Sequence, residues 1–120
     1  MYKFSEEFVV ETGFLRVTTR GEFALDELFG FIGRVKAEAE AADRDRIMID
    51  SSEIEGILTE ADRFQGGQKV AEVFAGEMKV VWIMPADQIT KLGEMAAVNR
   101  GADFLVTASQ DEALKWLLED

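Results

Sequence analysis

The sequence contains no cysteine and no histidine, and it has a single proline in 120 residues. The first two absences exclude disulfides, thiolate nucleophiles, Cys/His metal sites and every triad that relies on an imidazole base. Long apolar runs are missing too. The longest, Val80 to Ala86, is far too short to span a bilayer. The first residues, Met1 to Glu7, carry acids where a signal peptide needs an apolar core, so the expected location is cytoplasmic. Basic residues are scarce, 13 against 24 acidic ones, and the formal charge of -11 repels nucleic acid and anionic membranes at long range.

What is present describes an ordered globule. Hydrophobic residues make up 48% and charged residues 31% of the chain, and residues 1–120 read as one domain with one core. No internal repeat, linker or low-complexity stretch interrupts it.

Two extended runs, Phe8-Val9-Val10 and Phe14 to Arg20, flank Glu11-Thr12-Gly13, where glycine permits a hairpin turn. In the second run Leu15, Val17 and Thr19 alternate with Arg16, Thr18 and Arg20, which predicts one solvated face and a place towards the sheet edge. Leu25, Leu28, Phe29, Ile32, Val35 and Ala39 then recur at helical spacing. Gly30 and Gly33 within that helix suggest close approach to the sheet, while Phe31, off the stripe, fills a side groove or joins an exposed patch.

Ile47 to Ile49 reads as a buried parallel strand ending at once in Asp50, Ser51 and Ser52. Thr59 with Asp62 forms a capping-box variant for a second helix, whose buried side is predicted at Ala61, Phe64, Ala71 and Phe74. Gly66-Gly67 in mid-helix points to close helix packing, with a kink or a ligand-facing gap as alternatives. Lys79 to Met84, apolar at consecutive positions, predicts a central strand covered on both faces. A third helix follows through Ile89, Leu92, Met95, Ala96 and Val98, closed by Gly101. Phe104-Leu105-Val106 is the last strand, and Ser109 with Glu112 reads as a capping box for a helix carrying Ala113, Leu114, Trp116, Leu117 and Leu118. Trp82 and Trp116 are assigned to the core.

The fold class is therefore α/β, with a mixed sheet of about five strands, mostly parallel behind an N-terminal antiparallel hairpin, and about four helices. This order, with Thr19-Arg20-Gly21-Glu22-Phe23, Ile47-Met48-Ile49-Asp50 and Asp111 to Leu117, resembles the SpoIIAA-like family, bacterial relatives of STAS domains that are also similar to CRAL/TRIO domains in topology. The resemblance implies a non-catalytic regulatory or interaction domain. In the anti-sigma-factor antagonists of that superfamily it further implies a phosphorylatable serine in an Asp-Ser-Ser-Gly motif where the second helix begins. Here Asp50-Ser51-Ser52-Glu53 stands several positions too early, and the matching segment, Ile57-Leu58-Thr59-Glu60, holds neither serine nor glycine. Thr59 is the hydroxyl left there, and a helix cap explains its position.

Parallel sheets place ligand sites at strand ends. The expected partner- or ligand-binding residues are thus Ser51, Ser52, Ile54, Ile57, Leu58 and Thr59, where Ile54, Ile57 and Leu58 either tuck under the second helix as core or form an apolar lip that makes the contacts. Asp50, Glu53, Glu55, Glu60 and Asp62 crowd the same segment, but their spacing matches no cation loop and they read as solvated acids. The sequence supports no catalytic residues, no metal and no cofactor. Its partner is a protein or a small apolar or lipid-like ligand, and self-association stays open.

Overall fold

The computed structural model describes residues 4–22, 24–56 and 58–119. Phe23 and Ile57 lie outside the described residues. Five strands, β1 (Ser5–Glu11), β2 (Phe14–Glu22), β3 (Arg46–Glu55), β4 (Lys79–Ile83) and β5 (Asp103–Thr107), form one sheet in the order β1-β2-β3-β4-β5. The β1–β2 hairpin is antiparallel and all other pairings are parallel. Its turn is Thr12-Gly13, with Gly13 at φ +86°, where a side chain would be strained.

Each parallel step is made through a helix: α1 (Leu25–Ala41), α2 (Glu60–Phe74) and α3 (Leu92–Val98), with α4 (Gln110–Leu118) closing the chain. Because successive strands are added in one direction, α1, α2 and α3 fall on one face. Strand alternation serves this arrangement. Leu15, Val17, Ile47, Ile49, Val80 and Trp82 meet the three helices, whereas Phe14, Met48, Val81 and Ile83 meet Ala113 and Leu117 of α4. The consecutive apolar residues of β4 are thus explained by cover on two sides, though β3 is the middle strand. Arg34 of α1 grips Glu6 of β1 through both of its carboxylate oxygens, and that bond with its charge raises the guanidinium pKa above its ordinary value.

Several expectations are corrected. Phe31 is fully buried, edge-on to Phe4 and Trp82, so it belongs to the core and to no exposed patch. Gly30 and Gly33 face outward and touch no sheet residue. In α2, Ala61 and Phe64 are exposed, and the buried side is Gly66, Gly67, Val70, Ala71 and Phe74. Met95 and Val98 of α3 are exposed while Ala96 and Ala97 are buried. A single contact accounts for these two reversals. A Cβ on Gly67 would lie 2.2 Å from the Gly93 carbonyl oxygen, so α2 and α3 cross backbone to backbone and only small side chains fit between them. In α4, Leu114 and Leu118 are exposed and Trp116 is half-buried beneath Lys79, whose Nζ lies 4.5 Å from the ring centroid. Ser109 accepts from the Glu112 N–H at 3.1 Å, but its own N–H donates to Thr107, so the box is only half formed.

Candidate functional site

The decisive correction concerns β3, which does not stop at Ile49. It runs to Glu55 and outlasts β4, whose last partner is Asp50, so the extension pairs with β2 alone. Between the pairs Thr18–Asp50 and Arg20–Glu53, one residue of β2 stands opposite two of β3, a bulge. The two serines consequently part company.

Ser51 turns inward with 0% exposure. A buried hydroxyl needs partners, and it has two: its Oγ lies 2.6 Å from Thr19 Oγ1 and accepts from Trp82 Nε1 at 2.8 Å. Ser52 turns outward, donating its hydroxyl to Asp50 Oδ1 at 2.7 Å, while Asp50 Oδ2 accepts from Gln110 Nε2. Ile54 is buried in the three-helix cluster. Ser51 and Ile54 therefore present no contact surface in the folded protein. Leu58 is half-buried, and Thr59 is an exposed N-cap with a complete capping box, accepting from the Asp62 N–H at 3.1 Å while its own N–H donates to Asp62. The acidic residues are largely occupied: Glu53 with Arg20, Asp62 in the box, Glu60 beside Arg63. Among the described residues no group of three could hold a metal ion.

A cleft of about 80 Å³ opens beside this extension. Its floor is Trp82 of β4 and Met84 just beyond it, with Phe104 and Val106 of β5, and Leu28, Ile32 and Val70 wall it from α1 and α2. Gly66, Gly67 and Gly93 line it where α2 and α3 meet, so the glycine pair serves close packing and borders a gap at once. Ile89 to Lys91, between a short 3-10 turn (Ala86–Gln88) and α3, form its far rim, and Leu58 its near one. Of the residues expected from sequence, Leu58 lines the cleft, Ser51 stands one hydrogen bond behind its floor, and Ser52 and Thr59 lie outside it. Sequence reasoning missed Arg63, Lys91 and Glu94, which also line it. Arg63 comes from α2 and Lys91 and Glu94 from the start of α3, three residues apart, and no spacing in the chain links the first to the other two.

No protein-family model matches the sequence, and the comparison with curated proteins finds no match. The fold is nonetheless defined by solved structures: the chain has a SpoIIAA-like fold. It is similar to an anti-sigma factor antagonist from Mycobacterium paratuberculosis, with a TM-score of 0.65 and 15% identity over 98% of this chain and 96% of that one. It is also similar to a DUF3478-family protein with a SpoIIAA-like fold from Shewanella loihica, with a TM-score of 0.59 and 16% identity over 98% and 95%.

Proposed function

We propose that residues 1–120 form a single, non-catalytic regulatory or interaction domain of the cytoplasm that works without a serine phosphoswitch. The condition of the three candidate hydroxyls carries this reading. Ser51 is sealed in the core, Thr59 is engaged as a cap, and Ser52 sits against Asp50 and next to Glu53, whose charges oppose a phosphate. Catalysis at neutral pH asks for a tuned acid, base, nucleophile or metal, and a chain without histidine or cysteine has few means to supply one.

The partner in this reading is a protein, in keeping with the named role of the mycobacterial neighbour. Phe64, Met95 and Val98, at 37%, 57% and 46% exposure, support it: α2 and α3, which wall the cleft, turn these apolar side chains to solvent. Ser52, Leu58 and Thr59 lie at the same end of the sheet and supply a rim. Leu58→Asp and Met95→Asp are expected to leave the melting curve nearly unchanged and to abolish capture of a defined partner. Capture that survives both changes would move the surface elsewhere.

The cleft favours a second reading, in which the domain binds a small apolar or lipid-like molecule. Its walls are mainly aliphatic and aromatic, and its space is several times the ~10–15 Å³ that one water requires. Native mass spectrometry of the purified chain separates the two readings by reporting a bound small mass or a protein partner.

A further inference from the structure

The charges at the cleft run against those of the whole chain. Acids outnumber bases 24 to 13 overall, yet the cleft is lined by Arg63 and Lys91 against Glu94 alone. Glu94 and Lys91 satisfy each other: Glu94 Oε1 accepts from the Val106 N–H at 2.6 Å and from Lys91 Nζ at 3.2 Å, and Lys91 also donates to the Val106 carbonyl. Arg63 is different. Its Nε donates to the Leu58 carbonyl at 3.2 Å and its Nη1 to the Gln88 carbonyl, two neutral acceptors. The carboxylate beside it, Glu60, stands 3.5 Å from Nε with its side chain 61% exposed, so water screens the pair. No hydrogen bond from Nη2 is found among the described residues, although the Arg63 side chain is only 10% exposed. Since no buried side-chain nitrogen there lacks a partner, Nη2 is open rather than sealed.

A largely desolvated guanidinium whose Nη2 amino group is open, at the edge of an apolar cleft, is suited to an anion attached to an apolar body. We propose that the cleft takes a small apolar monocarboxylate, its carboxylate received by Arg63 and its body lying against Trp82, Val70 and Met84. This inference rests on the reading of the cleft as a ligand site. A phosphate monoester fits less well, because it brings close to two charges to a single guanidinium, Lys91 being already paired with Glu94.

The test uses the full chain and two matched pairs of probes, hexanoate with 1-hexanol and phenylacetate with 2-phenylethanol, followed by ligand-observed NMR and isothermal titration at neutral pH. Each acid is expected to bind roughly tenfold more tightly than its alcohol, the scale of one charge-assisted hydrogen bond. Arg63→Gln should remove that preference while leaving the alcohol's affinity in place, and Lys91→Gln should keep most of it. Because Arg63 also holds two carbonyls, raising the salt concentration on the unmodified protein is the second measurement, and it should weaken the acids selectively. Equal binding of acid and alcohol, or an acid preference that survives Arg63→Gln, overturns the carboxylate inference and leaves the apolar-ligand reading standing. No binding by any of the four probes overturns both.

Discussion

The two faces of the sheet are built from alternate residues of the same strands, yet one is covered by three helices and the other by α4 alone. Under α4 the cover is closed by cations at its margin. Arg46 donates to the Leu117 carbonyl at 3.0 Å and Lys79 to the Glu119 carbonyl at 2.8 Å, tying the helix end to β3 and β4. The three-helix face holds the larger apolar cluster, but it also holds a buried polar chain, Thr19–Ser51–Trp82, and a glycine crossing that borders a gap. A single helix laid on a sheet can close over it. Three helices that must cross one another leave a seam, and the cleft lies in that seam.

The sharpest way to test this contrast is to remove one large side chain from each face. Trp82→Ala should cost about 3–5 kcal/mol, because the indole packs edge-on to Phe31 and Phe104 and donates to Ser51. Leu117→Ala should cost about 2–3 kcal/mol, since the end of a terminal helix can settle into the space it vacates. Chemical denaturation of the two variants under one condition measures both. A Leu117 variant that loses more than the Trp82 variant would make α4 the principal cover.

Gly67→Ala probes the seam directly. The added methyl meets a backbone oxygen, which cannot rotate away, so α3 must shift at a cost of about 1–3 kcal/mol. The same change at Gly33, where nothing lies within 4 Å, should stabilise α1 by up to about 1 kcal/mol. A neutral Gly67→Ala would mean that α2 and α3 are not held together at this point.

The strand and helix order is legible in the sequence because periodicity, turn residues and caps agree along most of the chain. The Thr59 box and the two-sided cover of β4 are read from local residues, and local residues determine them. The errors arise where a distant contact decides. Asp50-Ser51-Ser52 has a loop's composition, but the Trp82 indole and the Thr19 hydroxyl give Ser51 partners and draw the strand past Ile49 to Glu55. In α3, Met95 and Val98 stand beside Ala96 in the apolar pattern, and Gly67, by bringing the helices into contact, decides that Ala96 and Ala97 are buried while the two larger side chains face solvent. The candidate site is less legible for the same reason: Leu58 is found by its apolar character in a loop, whereas Arg63 becomes meaningful only beside residues of β4 and β5.

The smallest expected effect separates the seam from the capped helix end beside it. Thr59 occupies the position where the resemblance places a phosphorylatable serine, so its replacement distinguishes a cap from a switch. Thr59→Ala removes the acceptor of the Asp62 N–H and should cost about 1 kcal/mol, whereas Thr59→Ser keeps the oxygen and should cost little. Neither change should alter binding at the cleft, because Thr59 is not among its lining residues. A phosphate on this oxygen would gain from the helix N-terminus but would sit between Glu60 and Asp62 and displace the capping bond. Phosphopeptide mapping of protein isolated from its native cells should accordingly find Thr59, Ser51 and Ser52 unmodified. A stoichiometric phosphate at Thr59, together with loss of partner capture in the alanine variant but not in a glutamate variant, would restore the switch and reassign the α2 start from scaffold to signal.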